Sequence, residues 1–430
     1  MKKTLKILSL LLCVVMLGSF LGSCAAGGKT LMTYADKSMS LNTFEFLLSR
    51  MKGTLEGYGY DVNSEKLWNT IISTDGTTYD DYFRTSVLEQ ASRYLIADYL
   101  FDRNGLVLTE EREKIVDELM EKFVKQAGSK TNLNAELKKF GVNYDMLREI
   151  YLLETKIDML KDHLYGEKGE KISKDRKEKY LEENYVAFGQ IFVAGYYEII
   201  DKDKFGDSVY YTDEKHTAIA YDKVNGHTVV NEFGKTDVDI LGDPVYYNDE
   251  GKIAYDKKNG VIGYAKDKNG NVMIEYYDEK KLAELESVAD KYADTCDGDL
   301  DLFLEYASIY DESEGRGDAM YLCSDEGYYS LMGESVAYLD TITKTLAKMD
   351  VGECRVVKSD YGYHVICKYE MKSGVYDDEK QKDVFSDFYQ SLIAELFDAE
   401  CRQLESGLEI IDEVLDTAPS MAEVASNQLY

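Results

Sequence analysis

Residues 351–369, VGECRVVKSDYGYHVICKY, set one histidine, His364, in an otherwise apolar, β-branched run that begins directly after a glycine. Such a run reads as a strand, and strand alternation puts His364 on the face opposite Tyr363 and Val365. Gly362 permits a positive φ or a close backbone approach where the strand starts, and Gly352-Glu353 fits the turn that leads into the segment. Two readings of these residues stand side by side: a half-buried core histidine, or a histidine held at the head of a strand for chemistry. The rest of the chain separates them.

At the N-terminus, Lys2, Lys3 and Lys6 precede an apolar run over 7–21 that closes on Leu21-Gly22-Ser23-Cys24. A basic start, an apolar stretch too short to span comfortably and small residues before a thiol make the pattern of a bacterial lipoprotein signal. The expected mature chain begins at Cys24 and is lipid-anchored through that sulfur to the cell membrane, on its extracytoplasmic face. An N-terminal span with an incidental cysteine is the alternative. No second apolar stretch is long enough to cross a membrane. The net charge of −31 becomes more negative once the signal's lysines are removed, so nucleic acid is not an expected partner. With 44% hydrophobic residues over 430 positions, two or three domains with real cores are expected.

Of the seven cysteines, Cys13 falls in the signal and Cys24 is the lipid site, which leaves Cys296, Cys323, Cys354, Cys367 and Cys401. An odd remainder argues for one optional pair or none. His163, His216, His227 and His364 are scattered, so no metal and no cofactor is expected.

The first half is patterned for helices. From Asn42, the apolar residues Phe44, Leu47, Leu48, Met51 and Leu55 repeat at helical spacing, with Asn42 and Glu45 placed as a capping box. A second helix is expected over 79–104, stopped by Gly105. A third is capped by Thr109, carries Ile115, Leu119 and Phe123 on one face, and stops at Gly128. A short helix over 134–141, a long one over 144–164 and another from Ser173 through Tyr180 follow. Residues 186–193 then alternate like a strand. Further helices are expected over 280–293, 302–310 and 331–349, and a long one over 377–408. Residues 417–430 read as a frayed tail.

Between 195 and 278 the chain repeats itself. Val209-Tyr210-Tyr211-Thr212-Asp213-Glu214 recurs as Val245-Tyr246-Tyr247-Asn248-Asp249-Glu250, and Ile219-Ala220-Tyr221-Asp222 recurs as Ile253-Ala254-Tyr255-Asp256. The Asn-Gly steps at 225, 259 and 269 predict hairpin turns in a small antiparallel meander. Its tyrosines either pack on one another or present an aromatic surface to unfolded peptide or glycan.

Taken together, these pieces resemble a parvulin-type peptidyl-prolyl isomerase domain within a SurA- or PrsA-like foldase. The likeness rests on Gly362-Tyr363-His364-Val365-Ile366 as the family's last strand and on 186–193 as its first. It also rests on the paired helices followed by Asp311-Glu312-Ser313, and on Gly315-Arg316-Gly317-Asp318 before the second strand. It covers about 186–194 and 279–370. Ala319-Met320 stand where the family has Leu-Gly, and Gln190 stands where its first histidine is usual. The helix order, with the Gly105-x-x-Leu108-Thr109-Glu110-Glu111 turn, resembles the foldases' N-terminal domain.

The resemblance implies an α+β chain. A helical SurA-like chaperone domain joins a parvulin-like domain, an antiparallel sheet with helices that carries a β-hairpin insertion, and a long C-terminal helix packs back on the helical domain. A homodimer contact is the other reading of that helix's apolar seam. The implied boundaries are 1–23 signal, 24–39 anchored linker, 40–184 helical domain, 185–370 parvulin-like domain with insertion 195–278, 376–412 C-terminal helix and 413–430 tail. His364 would be the second histidine of the site, with Gln190 in the first position and Asp311 or Glu312 as the acid. Met320, Leu331, Met332 and Tyr338 would form the proline pocket. The implied activity is prolyl isomerisation and folding assistance on unfolded or proline-containing exported polypeptides, with no cofactor, and Gln190 is the departure that bears on turnover. The rival is a catalytically silent surface lipoprotein, a holdase or a binder that captures its ligand through the tyrosine-rich insertion.

Overall fold

The computed structural model describes residues 28–213, 216–230, 234–239, 242–312, 327–333 and 337–430, with backbone alone at 337–339. The signal segment with Cys24, the 315–318 loop and Met320 lie outside the described residues. In chain order, β1 (Thr30–Tyr34) and β2 (Lys37–Ser40) lead into α1 (Leu41–Gly57), α2 (Glu65–Trp68), α3 (Tyr79–Arg103), α4 (Glu110–Ala127), α5 (Lys130–Leu137), α6 (Tyr144–Tyr165) and α7 (Lys174–Asn184). Strands β3 (Tyr185–Ala194), β4 (Tyr196–Glu198), β5 (Tyr210–Tyr211), β6 (His227–Thr228), β7 (Tyr246–Tyr247), β8 (Val261–Ile262) and β9 (Ile274–Tyr276) follow. After them come α8 (Glu279–Cys296), α9 (Leu300–Tyr310), β10 (Tyr328–Leu331), α10 (Ala337–Leu346), β11 (Cys354–Ser359), β12 (Gly362–Lys368), α11 (Phe388–Arg402), β13 (Leu408–Ile410) and α12 (Asp412–Leu415). The fold class is α+β, and among the described residues no helix is long and apolar enough to cross a membrane.

The chain divides into two compact units, one of residues up to 177 together with 386–430, the other of 178–385. In the first, β13, β1 and β2 make an antiparallel sheet in that order. Helix α1 starts earlier than its apolar spacing suggests, because Ser40 is the N-cap, its hydroxyl accepting from the Thr43 N–H at 3.2 Å. Asn42, expected as the cap, instead donates its amide to the Gly141 carbonyl. Helix α4 is capped by Thr109 and stopped by Gly128 with φ +83°. It buries Val116, Met120 and Phe123, while Ile115 is exposed. Its apolar stripe is one residue wider than one face, and packing on Phe46, Leu133, Leu147 and Ile150 selects which side is covered. Helix α11 packs on α3 and α6. Arg93 pairs with Asp398 at 2.9 Å, and the Tyr165 hydroxyl donates to Glu400 at 3.0 Å.

Residues 417–430 are not frayed. Met421, Val424 and Asn427 are buried, the Asn427 N–H donates to the Ser49 carbonyl at 3.0 Å, and Lys52 Nζ donates to the carbonyls of Ala422 and Val424 at 3.1 and 2.9 Å. The segment lies along α1 so closely that a Cβ on Gly53 would run into the Asn427 carbonyl. Gly→Ala inside a helix normally stabilises by about 1 kcal/mol. Here the collision outweighs that gain, and Gly53→Ala is expected to lower stability by about 1–3 kcal/mol. Limited proteolysis should cut the variant after residue 417, and a denaturation midpoint that rises instead would rule out this docking.

In the second unit, four antiparallel strands lie in the order β10-β3-β12-β11. Strand β3 is buried at every position rather than on alternate ones, because both faces of the sheet are covered. On one face α10 brings Ile342 and Leu346 onto Val186, Phe188, Val357 and Ile366. The other face, which carries Tyr363, Val365 and Cys367, lies under α8 and α9.

The 195–278 insertion is antiparallel but nested, not a meander. Strand β4 pairs with β9, β5 with β8 and β6 with β7. The repeats therefore exchange strands: β5 and β6 belong to the first copy, and each pairs with a strand of the second. Tyr221 bridges Tyr255 at the centre, with Asp222 N–H on the Ala254 carbonyl and Asp256 N–H on the Ala220 carbonyl at 2.8 and 2.9 Å. The tyrosine hydroxyls are tied to aspartates inside the insertion, Tyr211 to Asp201 and Tyr221 to Asp239 at 3.0 Å, and Tyr255 to Asp203 at 3.2 Å.

Of the three Asn-Gly steps, only Asn269-Gly270 turns a hairpin, between Lys266 and Val272. That turn is one case of a recurrent one, in which an Asp or Asn accepts from the N–H four residues on, with glycine at positive φ in the fourth place. It occurs at Asp203, Asp239, Asn248 and Asp267. Asn225 and Asn259 instead close local turns on Asp222 and Asp256.

Candidate functional site

Strand register builds the site. Gln190 lies opposite Ile366 and His364 opposite Phe192 across the β3–β12 ladder, so all four side chains rise from the face that α10 partly covers. Gln190 and His364 are thus diagonal neighbours, and His364 Nδ1 is 3.0 Å from Gln190 Oε1. Both are buried, 2% and 1% exposed. On the far side of the ring, His364 Nε2 is 2.8 Å from Ser359 Oγ, which also accepts the Tyr361 N–H at 3.1 Å. One tautomer satisfies this arrangement: Nδ1–H donates to the Gln190 carbonyl oxygen, and Nε2 accepts from the Ser359 hydroxyl. The Phe192 ring lies 4.9 Å from the imidazole and closes the floor of the site. Burial pushes the His364 pKa down to about 4, so the ring is neutral at ordinary pH.

Asp311 and Glu312 follow α9 directly, beside the half of β3 that β10 does not reach. The Asp311 carboxylate accepts the Phe192 N–H at 2.7 Å and the Glu312 carboxylate the Ala194 N–H at 2.8 Å, while the Glu312 N–H returns to the Phe192 carbonyl at 3.0 Å. They clamp the strand beneath the pair. Met332 packs on the Val186, Phe188 and Ile366 cluster under α10. Leu331 is paired with Tyr185, and so rises on the face opposite Gln190 and His364. Its expected place in the pocket is therefore corrected: the pleat reverses side-chain direction at every residue, and the β10 register sets Leu331 on the wrong side. Tyr338 falls in α10, and its side chain lies outside the described residues.

Ser359 was missed. Its signal is the two-residue turn Asp360-Tyr361, which sets Ser359 opposite Gly362 and hence diagonal to His364. Among the described residues, no group of three or more His, Cys, Asp or Glu side chains could hold a metal ion.

No family model and no curated protein matches this chain. Solved structures do. PrsA from Bacillus subtilis is 17% identical over 81% of this chain and 91% of its own, with a TM-score of 0.18. The peptidylprolyl isomerase PrsA from Bacillus cereus is 14% identical over 82% and 97%, at 0.27. The foldase protein PrsA from Streptococcus pneumoniae is 10% identical over 78% and 98%, at 0.20. Likeness at this level carries no argument about what this chain does, and the site stands on its own residues.

Proposed function

We propose that this chain is a membrane-anchored, extracytoplasmic foldase whose second unit is a parvulin-type prolyl isomerase acting on unfolded, proline-containing exported polypeptides. The observation that carries the reading is the buried Gln190–His364 hydrogen bond, at 3.0 Å, on the strand pair that the sequence motif matches. Rotation about an X–Pro bond faces a barrier of about 18–20 kcal/mol and forms no covalent intermediate. A site need only bind the twisted amide better than the planar one, and about 4 kcal/mol of such preference gives roughly a thousandfold acceleration. The dry floor at Phe192 and a neutral, hydrogen-bonded imidazole suit that task. Gln190 offers the carbonyl oxygen a histidine cannot, so it holds the ring without sharing a proton with it. Asp311, Glu312 and Ser359 are positioning residues: they fix the strand and the ring.

Binding of clients falls to the helical unit in this reading. A cleft of about 420 Å³ there is lined by Met39, Leu95, Met146, Ile150 and Leu153, with Asp98, Asp145 and Glu149 among its walls. That chemistry suits an apolar segment with basic neighbours. A silent binding scaffold is the second reading, favoured by the glutamine itself.

Isomerisation of X–Pro peptides by the mature protein tests both. His364→Ala is expected to lower kcat/KM at least about tenfold, equivalent to roughly 1.4 kcal/mol. Because His364 stays neutral well below its ordinary value, the wild-type rate should be level from about pH 5.5 to 8, without the inflection near 6.5 of an exposed histidine. An unchanged rate in His364→Ala would overturn the catalytic assignment. An inactive wild type that Gln190→His revives would leave a scaffold retained for binding.

A further inference from the structure

Cys354 opens β11, and Cys367 lies directly opposite it near the end of β12. The two exchange no backbone hydrogen bond. The Cys354 N–H points outward and donates to Asp297 at 2.9 Å, and the Lys368 N–H bonds instead to the Glu353 carbonyl at 3.1 Å. Pairs of this kind hold their Cα atoms about 4.5 Å apart with the side chains rising together. That separation falls inside the roughly 4.4–6.8 Å a disulfide spans. Both sulfurs turn toward one oxygen, the Gly352 carbonyl, at 4.0 Å from Cys354 and 3.7 Å from Cys367. Contact with Cys367, and then burial, raises the pKa of the Cys354 thiol, as expected of two thiols in touch. Cys296, in the last turn of α8, is a third buried thiol near Cys367.

We propose that Cys354 and Cys367 form a cross-strand disulfide site, closed by exchange with an oxidising disulfide of the small-molecule or protein class. Cys354 lies on the edge strand and is the more exposed of the two, at 7% against 0%. Its thiolate attacks the oxidant, forms a mixed disulfide and releases one thiolate. The Cys367 thiolate then attacks Cys354 Sγ and releases the second. Two electrons pass to the oxidant, and the two thiol protons go to its two leaving sulfurs. The bond would tie the base of the hairpin whose tip carries Ser359 and His364, so the arrangement Ser359–His364–Gln190 is held whether or not the site turns over. Burial slows exchange in the folded chain, so the bond closes during folding.

The test is to refold the full chain with oxidised or with reduced glutathione, then denature, alkylate and map the peptides by mass spectrometry. Oxidative refolding is expected to give one linked peptide pair containing Cys354 and Cys367, two fewer alkylated thiols, and a higher denaturation midpoint than the reduced form. The link should survive Cys296→Ala and vanish in Cys354→Ser. Should Cys354→Ser not fold, the Cys296→Ala map decides alone. Complete alkylation of Cys354 and Cys367 after oxidative refolding, or a link from Cys296 to Cys367, overturns the proposal.

Discussion

Gly362→Ala is expected to cost the second unit its cooperative fold. Gly362 sits at φ +147°, where a side chain is strained, and a Cβ there would enter the backbone of the paired strand at Val193, Ala194 and Gly195. The strain alone is about 1–3 kcal/mol. The collision adds to it, because a strand buried on both faces cannot retreat without breaking the β3–β12 ladder that carries Gln190 and His364. A loss of at least about 4 kcal/mol is expected, a large share of the roughly 5–15 kcal/mol that holds a typical domain together. Gly352→Ala is the control. Gly352 also has a positive φ, +85°, but a Cβ there would meet only Gly298 Cα at 3.8 Å, so it should lose about 1–2 kcal/mol. Urea denaturation followed by near-ultraviolet dichroism compares the two, and a Gly362→Ala midpoint no lower than that of Gly352→Ala would show that the strand crossing is looser than described.

Acid should destabilise the same unit through one residue. The His364 pKa lies at about 4 in the folded chain, against about 6.5 when unfolded. Below pH 6.5 the unfolded chain takes up a proton that the folded chain refuses, so stability falls as the pH drops from 6.5 toward 4 and levels off beneath that. At pH 4.5 the loss relative to pH 7 is about 2.5 kcal/mol. Carboxylates titrate over the same range, and their contribution is removed by difference: His364→Gln lacks the imidazole and keeps every acid. The wild type should lose about 2–3 kcal/mol more than His364→Gln between pH 7 and pH 4.5. Equal losses would mean that the ring is hydrated in the folded chain and that the Gln190 contact does not keep it dry.

The helices were the most legible part of the chain. Thr109, Gly105 and Gly128 sit where their local chemistry puts them, as cap and stops. Helix faces were less so, since Ile115 and Val116 are equally apolar and only the neighbouring helices choose between them. The repeat was visible, but its pairing was not. Tyrosine-rich segments with turn residues fit a meander and a nested strand exchange equally well, and the difference lies in which copy each strand joins. The tail of 417–430 reads as frayed because no apolar periodicity marks it, and much of its docking is backbone: the carbonyls of Ala422 and Val424 accept from Lys52, and the Asn427 N–H donates to the Ser49 carbonyl.

At the site, the sequence by itself determined that β12 begins at a glycine and carries a buried-type histidine, and that 186–193 forms a strand. Those facts depend only on residue type and nearest neighbours. Tertiary structure decided the rest. Gln190 and His364 are 174 positions apart, and a slip of one residue in the β3–β12 register would turn Gln190 to the other face and leave the imidazole alone. Two neighbouring registers do the same work: β11 against β12 sets Ser359 against the ring and brings Cys354 opposite Cys367, and β10 against β3 turns Leu331 away. The β3–β12 and β10–β3 pairings are long-range and no local pattern selects them, whereas the β11–β12 hairpin follows from its two-residue turn; in each, the pleat couples every side chain's direction to the alignment of its strands.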